Sequence, residues 1–481
     1  RQLWRPLKNL QGSALKQLKP VTQIIIQRTE MKKTDVLVIG GSAAGMVVSM
    51  TGKSAYPEKK FTMIKKQKDV MVPCGIPYIF GTLEASKQNI MPVDMLMEKT
   101  GVESLVAEVV AIDTKAKNVK LINGEHISYD KLVLATGSIP VMPSWLKGGE
   151  KENVFTIPKD KVYLDEMKQK LDGCKRVAVI GAGFIGVEFS DEFARTGHEV
   201  VLIEKLPNIL GLAFDVELSD RIAVLLEERG VSIRTGSGVT EILGKTQVEG
   251  VMLDNGETIN VDAVILSMGY KPNVRLAQES GIYIDEGGFI AVDEYMRTHE
   301  PDVFAVGDCA QKRDFVTRRR VNTMLASTAC AEARIAGMNL FQLETVKTFS
   351  GTIAIYATAV GKTGFGTAGL TEAAARKENI DVLTGLFEGV DRHPGTLPKT
   401  QKQVVKLIAA RNSGVIIGGE VIGGLSAGEL TNVIGMIIQN RMTINSLLIT
   451  QIGTHPLLTA SPAAYPLIKA AEIIDRKMRA R

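Results

Sequence analysis

Arg176-Val-Ala-Val-Ile-Gly181-Ala-Gly183-Phe-Ile-Gly186-Val-Glu188 is the stretch whose reading decides the fold. Val177 to Ile180 make an apolar run of the kind found in a strand buried on both faces. The run stops at glycine and gives way to a helical pattern. Gly181, Gly183 and Gly186 complete the G-x-G-x-x-G spacing: a tight turn, close approach of backbone N–H groups to a pyrophosphate at a helix N-terminus, and close helix–strand packing. Glu199-Val-Val-Leu-Ile-Glu204 supplies the next strand, and Glu204 ends it 23 residues after Gly181, where an acid meets a ribose hydroxyl. A carboxylate there accepts hydrogen bonds from a 2′-hydroxyl and repels a 2′-phosphate, so NADH is expected over NADPH. Lys205 next to it keeps NADPH open.

Working back, Thr34-Asp-Val-Leu-Val-Ile-Gly40-Gly-Ser42-Ala43-Ala-Gly45 repeats the pattern with Ser42 in place of the middle glycine. Phe61 to Lys65 reads as its second strand, but Lys65 and Lys66 occupy the acidic position, so another group must meet the ribose or the contact is weak. Two such modules predict two dinucleotides. Asn123-Gly124 marks a hairpin turn, and a buried strand closes the first module at Ala135-Thr136-Gly137, after which Pro140, Pro143 and Gly148-Gly149 read as linker. The second module closes similarly from Val264 to Asn273. A later strand ends at Gly307-Asp308, where the aspartate either reaches a ligand's hydroxyls or only forms a turn. A helix is expected over Val321 to Leu340, with Cys330 in the core. From Phe349 glycine-punctuated strands take over, Val404–Ala409 and Gly414–Glu420 are expected to be neighbours, and a helix follows over Ser426 to Met442. The fold class is α/β, with two Rossmann-like domains and a C-terminal α+β domain.

The 481 residues carry 58 Lys and Arg against 53 Asp and Glu, but residues 1–30 hold six of the cations and only one acid. The remainder is balanced, which argues against a nucleic-acid surface. The basic leader reads either as an organelle presequence or as an extension upstream of Met31, and the second reading is favoured. No apolar run approaches the ~18 residues that span a bilayer. Four widely spaced cysteines make no metal pattern and fit a reducing, cytoplasmic setting. One of them, Cys74, lies in Val70-Met-Val-Pro-Cys-Gly-Ile-Pro-Tyr-Ile-Phe80. Pro77 suits a first helical turn, so Cys74 is expected just before a helix N-terminus that favours a thiolate. The competing reading is a small buried hydrophobe. His393-Pro394 and His455-Pro456 interrupt the last domain in a chain with five histidines.

The ordered set of motifs resembles the FAD-dependent pyridine nucleotide-disulfide oxidoreductases. Pro73-Cys74-Gly75-Ile76-Pro77-Tyr78, with no second cysteine through Phe80, is similar to the single-cysteine branch: coenzyme A-disulfide reductases, NADH-dependent persulfide or polysulfide reductases, NADH oxidases and NADH peroxidases. The resemblance implies FAD against residues 31–147 and 275–345, NAD against 148–274, and a dimerisation domain over 346–481 that shares the active site across a homodimer. It assigns Gly40, Ser42, Ala43, Gly45, Thr136, Gly137, Gly307 and Asp308 to FAD, and Gly181, Gly183, Gly186 and Glu204 to NADH. Cys74 becomes the redox centre, with Glu188 near the meeting of flavin and nicotinamide and His455 or His393 as proton donor. The carboxylate that accompanies such a His-Pro pair is absent at Ala460. Hydride from NADH is expected to pass through FAD to Cys74, which reduces a small disulfide, coenzyme A-persulfide or polysulfide. The alternatives are an NADH oxidase or peroxidase working through a Cys74 sulfenic acid, or, in another class, an electron-transfer reductase for a small redox protein or a regulatory flavin-binding protein. Ala43 stands where peroxide- and oxygen-reducing members carry a histidine, which favours sulfur. Coenzyme A remains open, since the first FAD helix offers only Lys53 for its phosphates. No metal is expected.

Overall fold

The computed structural model describes residues 31–346 and 348–480. The leader, on which the two readings of residues 1–30 turn, lies outside the described residues.

Val36, Leu37 and Val38 are buried on both faces of the strand Lys32–Ile39, because it pairs in parallel with Phe61–Lys65 on one side and His126–Leu134 on the other. Val303–Ala305 joins His126–Leu134, also in parallel. The registers place Ile39 opposite both Ile64 and Leu134, and Leu134 opposite Ala305. The carboxyl ends of four strands therefore arrive together and release Gly40, Lys65, Ala135 and Gly307 at one edge, the place where open α/β sheets bind ligands. The Asn123-Gly124 turn connects Asn118–Leu121 to His126–Leu134 as an antiparallel hairpin.

The second module is a five-stranded parallel sheet of Val154–Phe155, Ala263–Leu266, Arg176–Ile180, Glu199–Ile203 and Val231–Arg234. Chain enters and leaves it through a two-stranded ribbon, Ser138–Pro140 against Tyr270–Pro272. The C-terminal domain is a five-stranded antiparallel sheet in which Lys402–Ala410 and Ile416–Gly423 are neighbours, as expected. The helices Ala427–Gln439 and Pro466–Arg479 share one core with it, through Leu407, Val421, Ile434 and Ile474. The largest core joins all parts, since Phe80, Phe189, Phe193, Phe365 and Ile422 belong to it. Among the described residues no helix is long and apolar enough to cross a membrane.

One helix differs from its reading. It spans Ala326–Met338 rather than Val321 to Leu340, because Val321 is held extended in a short antiparallel ribbon against Lys312.

Candidate active site

Two helices begin at the two glycine loops. Ala43–Ala55 follows Gly40-Gly41-Ser42, and Phe184–Arg195 follows Gly181-Ala182-Gly183. Gly40 and Gly181 adopt positive φ, 123° and 98°, which a side chain disfavours. A Cβ on Gly45 would collide with the Gly40 carbonyl, and one on Gly186 with that of Gly181, so both helices start hard against their loops. Neither Ser42 nor Gly183 supplies a side-chain cap, which leaves the first N–H groups of each helix directed at the loop. Space is open where a Gly183 side chain would stand. Both loops thus fit a dinucleotide pyrophosphate. Ser42, Ala43 and Gly45 lie on the first; Gly181, Gly183 and Gly186 lie on the second. Glu204 is fixed beside the second loop, its carboxylate accepting from the Ala182 and Leu206 N–H groups at 2.7 and 2.8 Å.

Lys65, in the acidic position of the first module, is buried. Its ammonium pairs with Asp94 at 2.8 Å and donates to the Lys68 carbonyl at 2.7 Å. Thr136 is spent on the domain crossover, donating to the Asn273 carbonyl at 2.6 Å, and the Gly137 carbonyl accepts from the Asn273 N–H. Asp308 follows Gly307 in a short 3₁₀ turn. Its carboxylate accepts from the Ser138 hydroxyl at 2.7 Å and from Lys159 at 3.1 Å. Burial works to raise its pKa, yet Lys159, Ser138 and Lys312 together hold it below the usual value.

Cys74 goes against its competing reading and corrects one expectation of the favoured one. It is exposed rather than a buried hydrophobe, and it does not sit before an α-helix. Pro73–Gly75 and Pro77–Phe80 are separate 3₁₀ turns, because prolines at both starts remove backbone donors and the bonds run over three residues, Ile76 N–H to Pro73 and Ile79 N–H to Ile76. The thiol pKa is raised, not lowered. Burial of its surroundings is the main cause and the Glu188 carboxylate adds to it, while Lys159 opposes both. Glu188 is itself pushed up to about 7 by burial, with Glu192 adding and a hydrogen bond from Thr358, 2.7 Å long, opposing. The structure thus gathers Cys74, Glu188, Asp308 and Lys159 into one electrostatic neighbourhood.

Lys159, Ser138 and Thr358 escaped the sequence reading. No spacing marks them: the first two come from the interdomain linkers and the third from a strand about 170 residues beyond Glu188.

His393 and His455 are brought together on two C-terminal loops, tied by the His393 N–H to the Pro456 carbonyl. His393 Nδ1 lies 3.0 Å from the Thr459 carbonyl and so carries the proton, whereas His455 Nδ1 accepts from the Leu457 N–H, which places its proton on Nε2. Neither is among the groups acting on Cys74 within the chain. Lys53 turns its ammonium onto the carbonyls of Pro57 and Lys59, both at 2.7 Å, in the turn that follows its own helix. Among the described residues no cluster of His, Cys, Asp and Glu could hold a metal ion.

Two glycine loops that fit dinucleotides, and an exposed thiol whose electrostatics Glu188, Lys159 and Asp308 shape, are the parts of an oxidoreductase of the two-nucleotide type. Residues 34–333 match the pyridine nucleotide-disulphide oxidoreductases, and residues 355–464 match the dimerisation domain of the same family. The chain is 32% identical over 451 residues to an NAD(P)H sulfur oxidoreductase (CoA-dependent) of Pyrococcus abyssi, covering 92% of this chain and 99% of that one. It is 28% identical to an NADH oxidase of Methanocaldococcus jannaschii, with the same coverage of each. The NAD-dependent persulfide reductase from A. fulgidus superimposes with a TM-score of 0.85 at 28% identity, over 92% of this chain and 84% of that one. The chain belongs to the pyridine nucleotide-disulphide oxidoreductases, and it is an enzyme of that class.

Proposed function

We propose that this enzyme uses NADH to reduce a small disulfide, coenzyme A-persulfide or polysulfide through Cys74. The observation that carries the reading is a lone, exposed Cys74 with no cysteine in the turns that follow it, beside an acid, Glu188, and a cation, Lys159. When bound, FAD and NADH supply the electron pair, and the two loops fit them in the order just described.

Cys74 has to work as a thiolate. Its sulfur attacks one sulfur of the substrate, an S–S bond forms to Cys74, and the substrate's own S–S bond breaks, so one thiol leaves with a proton. Addition of an electron pair and a second proton then cleaves the mixed disulfide, which frees the second thiol and restores the thiolate. Lys159 stabilises the thiolate electrostatically. In a homodimer, formed through the C-terminal domain, the loops bearing His393 and His455 supply the departing thiol's proton at an imidazole nitrogen. Relatives named as a CoA-dependent sulfur oxidoreductase and a persulfide reductase support the substrate class. With Lys53 committed to backbone carbonyls, a coenzyme A nucleotide finds no cation on the first FAD helix, which favours a smaller sulfur substrate.

The second reading, NADH oxidation by oxygen or peroxide through a Cys74 sulfenic acid, has the Methanocaldococcus relative in its favour and Ala43 against it. Steady-state NADH consumption is measured with coenzyme A disulfide, polysulfide, oxygen and peroxide in turn. Rates dominated by oxygen or peroxide overturn the proposal. The intact mass before and after dithiothreitol reports the resting state: loss of a thiol-sized adduct fits sulfur chemistry, and loss of a single oxygen fits the alternative. Cys74→Ser abolishes turnover in either case. Unchanged turnover would instead mean electron transfer that bypasses the thiol.

A further inference from the structure

The strand Tyr356–Val360, which opens the C-terminal sheet, lies along the helix Phe184–Arg195 and meets it at successive points. Tyr356 stacks on Phe184, centroids 4.8 Å apart and planes 10° from parallel. Thr358, on the same strand face, donates to Glu188 Oε1 at 2.7 Å. The Gly361 N–H donates to Asp191 Oδ2 at 3.0 Å. Elsewhere the same helix grips the chain just after Cys74: Phe80 packs on Phe189 and Phe193, with centroids 5.1 and 5.7 Å away, and Glu192 accepts from both the N–H and the hydroxyl of Thr82. One helix therefore links the C-terminal domain to the segment that carries the nucleophile.

We propose that Thr358 is a positioning residue: its hydroxyl fixes the Glu188 carboxylate, and through Glu188 the C-terminal domain sets how readily Cys74 reacts. The inference rests on Cys74 being the reacting group.

A buried carboxylate is stabilised by the hydroxyl it accepts from. Without that donor, Glu188 stays protonated to higher pH. Its negative charge is one of the causes that hold the Cys74 thiol up, so a more protonated Glu188 lets the thiol ionise more easily near neutrality. The other groups facing this pair stay as they are. On the helix itself, Glu192 is bound to Thr82 and Asp191 is paired with Arg229 at the end of the neighbouring helix. Tyr78 comes from the turn Pro77–Phe80 that follows Cys74 and carries a raised pKa. Tyr356 comes from the C-terminal strand. Lys159 and Asp308 act on Cys74 from the linker and the Gly307 turn. Of the strands beneath the helix, Arg176–Ile180 and Glu199–Ile203 carry charge at their first residues, paired as Arg176 with Asp262 and Glu199 with Lys175, and Val231–Arg234 carries Arg234 at its end, 3.7 Å from Glu257.

The test uses the reduced holoenzyme and follows iodoacetamide alkylation of Cys74 by peptide mass spectrometry across a pH series spanning neutrality. Thr358→Val removes the donor while keeping the shape, and it should move the alkylation midpoint to lower pH and raise the neutral rate about threefold, the effect of half a pKa unit. Thr358→Ser keeps the donor and should retain the parent profile, and in a Glu188→Gln background Thr358→Val should have no further effect. An unmoved midpoint in Thr358→Val, or equal shifts for valine and serine, overturns the proposal. If Cys74→Ser still turns over sulfur acceptors, the underlying reading of Cys74 fails instead, whatever the alkylation profiles do.

Discussion

Glu204 and Lys65 occupy equivalent places in the two modules with opposite charge, and each is explained by what it touches. Glu204 is anchored by two loop N–H groups, and under the proposed NADH assignment its charge would face the 2′-position of the adenosine ribose. Glu204→Gln should leave NADH use nearly intact and raise kcat/KM for NADPH, because the repulsion goes while an acceptor oxygen remains. Glu204→Ala should lower kcat/KM for NADH about tenfold, the scale of one charge-assisted hydrogen bond. A parent enzyme that already prefers NADPH in steady-state assays would refute the assignment. Lys65 answers the question left by the missing acid only in part: its stem fills the space beside Gly41, and its charge is satisfied by Asp94, whose carboxyl is held below the usual range chiefly by that hydrogen bond. Glu188 brings pH into the site. With its pKa raised to about 7, it is neutral on the acid side of neutrality and charged on the alkaline side, and the charge works against thiolate formation. Glu188→Gln should therefore lower the Cys74 midpoint and flatten the profile through neutrality, as read by alkylation rate against pH.

The turn at Gly307-Asp308 is supported from behind by a fully buried ion pair. Lys312 donates to the carbonyls of Gly307 and Ala310 at 2.6 and 3.0 Å and lies 3.5 Å from Glu332 on the helix Ala326–Met338, while Glu332 accepts the Gly307 N–H at 2.8 Å. Lys312→Met leaves Glu332 without its cation, a loss of about 3–5 kcal/mol for one half of a buried pair. The expected result is a lower unfolding midpoint in denaturant together with weaker retention of FAD, measured by flavin absorbance after gel filtration; stability at the parent level would mean that the pair is dispensable. Elements of this kind divide sharply by how local their chemistry is. The two loop helices, the Asn123-Gly124 hairpin and the paired strands Lys402–Ala410 and Ile416–Gly423 were legible because glycines, turn residues and apolar runs specify them within a few residues. The Cys74 segment was misread because Pro77 signals a helix start equally well when a single 3₁₀ turn follows. The Lys159–Asp308–Ser138 cluster and the Thr358–Glu188 bond join segments distant in sequence, and no periodicity announces such contacts.

At the scale of the whole molecule, the second dinucleotide module and the C-terminal domain are locked by one buried lysine. Lys406, inside the C-terminal sheet, meets Asp215 at 2.8 Å, Glu372 at 3.3 Å and also Glu217. Asp215 further accepts the N–H groups of Glu372 and Ala373, at 2.9 and 3.1 Å, and its own N–H donates to Glu420. Burial acts to raise the Asp215 pKa, but Lys406 and the two N–H donors prevail and lower it. A depressed carboxyl contributes stability above its unfolded pKa and loses it as pH falls through the folded value, so the Asp215 contribution to this junction should be lost in acid. Lys406→Met would strand Asp215 and Glu217 with Glu420 nearby, and it should cost about 3–5 kcal/mol. Hydrogen exchange should show the loss as faster exchange at residues 371–375 and along Tyr356–Val360, while Lys32–Ile39 in the first sheet keeps its protection. Uniform acceleration over both regions would show that the molecule unfolds as one unit and that Lys406 is no specific interdomain latch.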